Sequence, residues 1–321
     1  MTLAPLVAAL ARGPGRARHL TESEAERAMR LILAGEAEPE AVGALLMLMR
    51  YRGEDAAEIA GLVRGLHAAL PDWPGPPPAL DWPSYAAGRT RGVPWFLLSA
   101  RLVAQAGASV LLHGWNSHQS GRADIRAALP HAGLRAAGSV AEAASDLARG
   151  GIAYLPAEIA LPQLVGLLRL RDVLGLRSPV NTAARALNPG GAPASVQGVF
   201  HPPYRALAAD AAALLGLPRL TVLKGGGGEF ERHPGKPAQI DVRRDGAAFA
   251  QDMPPLIAAT RRLAEDDHDA TALADLWSGA LRDPFAETVV TGTADLALAT
   301  AGLPATAAQL WANRPILETA P

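Results

Sequence analysis

Four stretches of the chain carry residues that could do chemistry. His113-Gly114-Trp115-Asn116-Ser117-His118-Gln119-Ser120-Gly121-Arg122-Ala123-Asp124 sets two histidines, an indole, two amides and a guanidinium between an apolar run and a helical pattern. That is where α/β proteins place ligand sites. The stretch reads as a ligand loop or as a hydrogen-bonded strand–helix turn. Leu176-Arg177-Ser178-Pro179-Val180-Asn181, continuing through Arg185 to Asn188-Pro189, joins apolar residues to guanidinium and amide groups. In Val222 to Glu231, four consecutive glycines follow an apolar strand pattern and permit close approach of a ligand or another chain. Glu229 and Glu231 there are oxygen donors of the kind magnesium prefers, to be completed by a third ligand or a phosphate. Pro83 to Gly92 places Arg89 and Arg91 before a helical pattern. It reads as exposed cations near a helix start rather than as a glycine-rich phosphate cradle.

The elements that position these stretches follow from periodicity. Thr21-Glu22-Ser23-Glu24 is a capping box. Further helices are expected over about 39–50 and 54–70, the last with Ile59, Leu62, Val63 and Leu66 on one face. Pro71 to Pro78, with five prolines, is a stiff linker. Beyond it, helices at 94–107, 123–129, 140–149 and 204–215 alternate with strands at 109–113, 152–155, 195–200 and 219–223, and the chain turns helical again from about 270. Strands alternating with helices imply an α/β domain with a central, largely parallel sheet. The expected division is a helical domain over 1–72 and an α/β domain over 79–321.

Composition narrows the function classes. The 321 residues are 49% hydrophobic and 19% charged, with net charge -1. A large core is expected, and bulk polycation binding is excluded. There is no cysteine, which removes disulfides, thiolate metal sites and cysteine nucleophiles. No apolar run reaches the length of a membrane span, and no basic stretch precedes the apolar start. The expectation is a soluble cytoplasmic protein. Of the 30 basic residues only Lys224 and Lys236 are lysine. Residues 84–135 hold six arginines against Asp124, and residues 161–206 hold five against Asp172. If these segments converge, they make an anion-binding face.

The ordered motifs resemble those of anthranilate phosphoribosyltransferase and its relatives. They are His113-Gly114, Ser120-Gly121-Arg122-Ala123-Asp124, Leu174-Gly175-Leu176-Arg177, Asn181, Asn188-Pro189 and Gly198-Val199-Phe200-His201-Pro202. The resemblance spans about residues 15 to 315. It implies a nucleoside phosphorylase/phosphoribosyltransferase-type fold, dimerisation through the helical domain, and return of a segment around 160–190 to that domain. Under it, His113, Asn116, Arg177, Asn181, Lys224 and Glu231 belong to a vestigial substrate cleft.

Three departures shape the functional expectation. The catalytic members' Gly-Thr-Gly-Gly-Asp cradle for phosphoribosyl pyrophosphate is replaced by Ser84 to Arg89. Their Asp-Glu magnesium pair becomes Phe230-Glu231, and a Gly-Pro becomes Ala184-Arg185. Transfer from that donor depends on positioning and on neutralising the leaving diphosphate, so these losses point away from catalysis. The departures resemble the YbiB-like paralogue branch. The expectation is a non-catalytic, sequence-indifferent nucleic-acid-binding homodimer without cofactor. Arg89, Arg91, Arg122, Arg126, Arg169, Arg171 and Arg185 would contact phosphates of single-stranded DNA or RNA, with Trp115 stacking on a base. The alternative is a phosphoribosyl- or glycosyltransferase with an altered site, using magnesium and phosphoribosyl pyrophosphate. A small-molecule or phosphate sensor is a third reading.

Overall fold

The computed structural model describes residues 2–13, 15–85, 92–115, 124–259, 261–263 and 268–317. The chain begins with α1 (Ala4–Ala11), α2 (Glu22–Leu33), α3 (Pro39–Arg52) and α4 (Ala56–His67). Two capping boxes start α2 and α4. Thr21 Oγ1 accepts from the Glu24 amide at 3.2 Å, and Asp55 Oδ1 from the Glu58 amide at 2.8 Å. Helices α2 and α4 cross at close range because α4 offers Gly61 and Gly65 there. A Cβ on Gly61 would lie 2.2 Å from the Glu22 carbonyl oxygen, and one on Gly65 2.5 Å from Met29 Cβ.

After the linker the chain alternates: β1 (Leu80–Ser84), α5 (Phe96–Gln105), β2 (Val110–Gly114), α6 (Ile125–Ala128), α7 (Val140–Gly150), β3 (Ile152–Pro156), α8 (Ala157–Ala160), α9 (Pro162–Leu174), α10 (Val180–Arg185), β4 (Ala194–Val199), α11 (Pro203–Leu214) and β5 (Arg219–Lys224). It closes with β6 (Ala238–Arg244), β7 (Ala247–Met253), α12 (Ala272–Ser278), α13 (Pro284–Ala301) and α14 (Ala307–Ala312). The seven strands form one sheet in the order β3-β2-β1-β4-β5-β6-β7, parallel from β3 to β5 and antiparallel across β6 and β7. The strand order reverses between β1 and β4, and ligands bind beyond the carboxyl ends of strands at such a reversal.

Two elements depart from the expected pattern. β1 is central and wholly buried, although Pro83 removes a ladder donor and the linker prolines run up to its start. The β6–β7 hairpin turns on Asp245 and Gly246, both in the left-handed region at φ 49° and 93°. That Asp-Gly dipeptide is the sequence signal for such a turn.

Two large cores result. One packs Trp82, Trp95, Phe96 and Phe230 between the sheet and α5, α12, α13 and α14. Trp95 is thus a core residue. The other joins α1–α4 to Ala157, the α9 leucines and Val180–Leu187. Among the described residues no helix is long and apolar enough to cross a membrane.

Candidate active site

A buried polar chain crosses β1, β2 and β4, running from Ser195 and Asp81 near the amino ends of β4 and β1 to His113 at the carboxyl end of β2. Ser195 Oγ donates to Asp81 Oδ2 at 2.7 Å, and His113 Nε2 lies 3.0 Å from Asp81 Oδ1. On the other side of the ring, Tyr85 Oη meets His113 Nδ1 at 3.1 Å. All four side chains are buried. Burial pushes the Tyr85 hydroxyl up, so it stays protonated. The Asp81 carboxylate beside Nε2 favours a proton there, which leaves Nδ1 to accept from the Tyr85 hydroxyl. Gly114 is required beside this chain, because a Cβ there would strike the Ser84 carbonyl oxygen at 1.9 Å.

Above it opens a cleft between the helical domain and the sheet, enclosing about 110 Å³. Arg50 and Glu54 reach in from the end of α3, and Phe200, His201 and Tyr204 from the start of α11. Tyr204 donates to Glu54 Oε2 at 3.1 Å and accepts from Arg50. Arg177, Asn181 and Arg185 come from the returning segment and α10. Arg185 donates to the backbone oxygens of Asn181 and Tyr85, both at 3.0 Å. Burial lowers its pKa, and the Glu229 carboxylate partly restores it. Arg177 is different. It is half-buried and makes no hydrogen bond or ion pair within the described residues. Burial, with Arg171, Arg185 and Arg50 nearby, pulls its pKa down to about 10. An arginine so placed favours an anion.

The glycine loop after β5 folds on itself. A Cβ on Gly225 would lie 1.5 Å from the Glu229 carbonyl oxygen, and Gly227 and Gly228 take φ of 65° and 95°. The Gly198 of the Gly-Val-Phe-His-Pro motif is needed for the same reason, since its Cβ would meet the Glu229 backbone at 2.1 Å. Asn188 also proves structural. At φ 44° it closes its own loop, donating to the Ala192 oxygen and accepting from the Ala192 amide, both at 2.8 Å.

The six residues expected in a substrate cleft therefore separate. Arg177 and Asn181 line the cleft, and His113 lies in the buried chain beneath it. Lys224 and Glu231 line a second cavity beyond Phe200. Asn116 lies outside the described residues. Arg50, Glu54, Tyr85, Asp81, Ser195 and Tyr204 were not read from the sequence. His201-Pro202-Pro203-Tyr204, directly after the Gly-Val-Phe motif, was the available signal for Tyr204.

Several residues of the expected arginine groove are engaged within the protein. Arg126 pairs with Glu158, Arg185 is committed to backbone oxygens, and Trp115 packs against the helical-domain core. Arg169 is exposed and Arg171 partly so on α9. Arg89, Arg91 and Arg122 lie outside the described residues.

Comparison with known proteins decides the family. Residues 4–69 match the helical bundle domain of the glycosyl transferase family. Anthranilate phosphoribosyltransferase of Methylocella silvestris is 30% identical over 277 residues, which is 86% of this chain and 75% of that protein. The chain belongs to the anthranilate phosphoribosyltransferase family. The enzyme of Rhodospirillum rubrum is also 30% identical, over 92% of this chain and 86% of its own length. The crystal structure of anthranilate phosphoribosyltransferase from Thermus thermophilus superposes with a TM-score of 0.79 at 26% identity, covering 98% of this chain and 94% of that one.

Two expectations fall with this. The relatives carry the name of an enzyme, so the reading as a non-catalytic nucleic-acid binder, and DNA binding with it, is overturned. The expectation of no cofactor falls as well: the Saccharomyces cerevisiae enzyme, alike in fold with a TM-score of 0.72 at 17% identity, was solved in complex with PRPP and Mg.

This chain's residues suit magnesium in one form only. Phe230 is buried edge-on against Trp82, with ring centroids 5.5 Å apart, so no carboxylate occupies that place. Glu231 is buried, and its Oε1 accepts from the Phe96 amide at 3.2 Å. Glu229 addresses Arg185 and Tyr154 instead. One carboxylate fits a magnesium that arrives on a diphosphate and keeps water ligands; it does not fit a metal held by protein alone.

The buried chain makes a direct prediction. Tyr85→Phe removes the donor to His113 Nδ1 and leaves a buried acceptor unsatisfied, which costs about 1–3 kcal/mol. Urea denaturation of the variant should show a lowered midpoint with unchanged slope.

Proposed function

We propose that this chain is a glycosyltransferase of the phosphoribosyltransferase class with an altered active site, taking an anionic acceptor through Arg177. The observation that carries the reading is the Arg177 guanidinium, half-buried, crowded by three arginines and without an acid of its own. The relatives' names supply the chemistry: anthranilate, an aromatic carboxylate with an amine, as acceptor, and the PRPP of the yeast complex as donor. The acceptor nitrogen's lone pair forms a bond to the anomeric carbon of the donor. The bond from that carbon to the diphosphate oxygen breaks with its electron pair, and the nitrogen's surplus proton goes to solvent. Arg177 holds the acceptor carboxylate through two parallel N–H donors, and Asn181 lies beside it. Magnesium, when bound, would be held by Glu231 and would supply neutralising charge to the diphosphate.

Within the family we place the chain on the YbiB-like branch. Its departures support this as a set rather than singly. Tyr85 replaces part of the phosphate cradle, Arg185 replaces a proline, and Glu229 neighbours the missing metal ligand. Arg185 donates to Tyr85 and feels the Glu229 charge.

Calorimetric titration with anthranilate tests the acceptor site. Arg177→Ala should weaken binding by about 10- to 150-fold, the worth of a charge-assisted hydrogen bond. The folded pKa of Arg177 is depressed, so the cation persists below about 10. Affinity should hold level through neutral pH and fall as pH rises through that value. Equal binding by variant and wild type would sink the reading.

The chain is also proposed to dimerise through the helical domain. Leu174, at the end of α9, reaches within 3.8 Å of an ideal Cβ on Gly43 of α3. Tyr51 of α3 and Val173 and Leu176 at the end of α9 are 89, 81 and 58% exposed, and exposed large apolar residues of this kind suit an interface. Sedimentation should give a dimer, and Tyr51→Glu/Val173→Glu a monomer; a monomeric wild type contradicts this.

A further inference from the structure

β4 carries a buried amide with no partner among the described residues. The strand alternates between two faces. Ala194 and Val196 enter the core shared with α13, whereas Ser195 and Gln197 face the helical domain. Gln197 is 3% exposed, and its side chain makes no hydrogen bond among the described residues. A buried carboxamide without a partner costs stability, and a ligand that pairs it recovers that cost.

Beside this amide lies a cavity of about 810 Å³. Pro193, Ser195 and Pro218 place it at the amino ends of β4 and β5, whereas the arginine cleft opens past Val199 at the carboxyl end of β4. Helix α4 runs past both spaces. Ile59 lines the cleft, and Val63 and His67, one and two turns on, line the cavity. Ala186 and Gln197 border both and form the partition between them. The walls are fixed by their own hydrogen bonds. The 188–192 loop is closed by Asn188, and at the end of α11 the Leu217 amide donates to the Ala212 oxygen at 2.9 Å. Such a preformed space suits a small molecule.

The charge around the cavity is already balanced. Its titratable residues are Glu26, Arg30, Arg64 and His67. Arg30 donates to Glu26 at 2.8 Å, and Arg64 pairs with Glu22 and donates to the Leu214 oxygen at 2.8 Å. His67 is exposed at the mouth, and desolvation by its neighbours lowers its pKa, so it is mostly neutral at pH 7. A charged ligand finds no free counter-charge here. The polar groups of the floor are uncharged. Ser195 gives its proton to Asp81, so it turns only lone pairs to the cavity. Gln197 offers N–H donors and a carbonyl acceptor side by side.

We propose that this cavity binds an uncharged heterocycle with a lactam edge, of oxopurine size, whose N–H and C=O pair with the Gln197 carboxamide and whose second N–H reaches Ser195. A carboxamide meets such an edge through two parallel hydrogen bonds, as amide side chains do with bases. Pro193, Leu215 and Leu217 offer apolar surface to the ring. The site does not depend on the transferase reading.

Equilibrium dialysis of the full-length protein against hypoxanthine tests this, with 1-methylhypoxanthine, which lacks the lactam N–H, as control. The protein should bind hypoxanthine at least about tenfold more tightly than the methylated base, the worth of one buried hydrogen bond. Gln197→Met removes the amide at similar length and should bring the two ligands within about twofold. Ala68→Trp, at the exposed mouth, should weaken hypoxanthine about tenfold or more, while Arg177→Ala should leave it within about twofold. No saturable binding, equal affinity for the two bases, or a preference that persists in Gln197→Met overturns the lactam pairing. Unchanged binding in Ala68→Trp, or loss of binding in Arg177→Ala, overturns the placement behind the cleft.

Discussion

The helical domain cannot bury its own apolar faces. Helices α1–α4 leave a stripe that is covered only when the chain returns through α8, α9 and α10 after three strands have been laid down. That return is the constraint on which the cleft depends. The leucines of α9 pack inward, so the residues that follow them are carried to the seam between domain and sheet. Arg177, Asn181 and Arg185 sit there because the hydrophobic closure passes through them. The same closure partly desolvates Arg177 and crowds it with like charge. Core packing thereby sets the surroundings of Arg177.

The altered residues form one connected replacement. Arg185 would be costly to bury alone. Its two backbone acceptors and the Glu229 carboxylate offset that cost, and one of those acceptors belongs to Tyr85 at the end of β1. Phe230 fills a core space against Trp82. The loop that would cradle a phosphate and the loop that would hold a metal are therefore tied through an arginine to the acceptor side of the cleft. The likeness to anthranilate phosphoribosyltransferases covers most of the chain, while the departures gather in this one cluster.

Much of the fold was legible in the sequence. β2, β3, β4 and β5 announced themselves as short apolar runs, and the Thr21–Glu24 box marked α2. β1 was hidden by Pro83 and the prolines before it, and the β6–β7 hairpin showed only as Asp245-Gly246. The site was harder to read because its chemistry depends on pairing between distant segments. The arginines of 84–135 looked like a basic face. In space Arg101 donates to the Gly133 oxygen, Arg126 meets Glu158, and Arg135 meets Glu142 and Asp146. Acids up to position 158 neutralise cations before 136, which a local charge tally cannot register. Arg177 was recognised by its motif, but its lack of an acid partner is visible only in three dimensions. The glycines of 225–228 suggested ligand approach and turned out to serve the loop's own crossing.

The central claim is that the cleft transfers a sugar from a diphosphate donor to an anionic acceptor. Phosphorus NMR of the protein with PRPP, magnesium and anthranilate or other aromatic amino-carboxylates tests it most directly. The account predicts acceptor-dependent release of inorganic diphosphate, lost in Arg177→Ala. Donor signals unchanged beyond the protein-free control with every acceptor would contradict it.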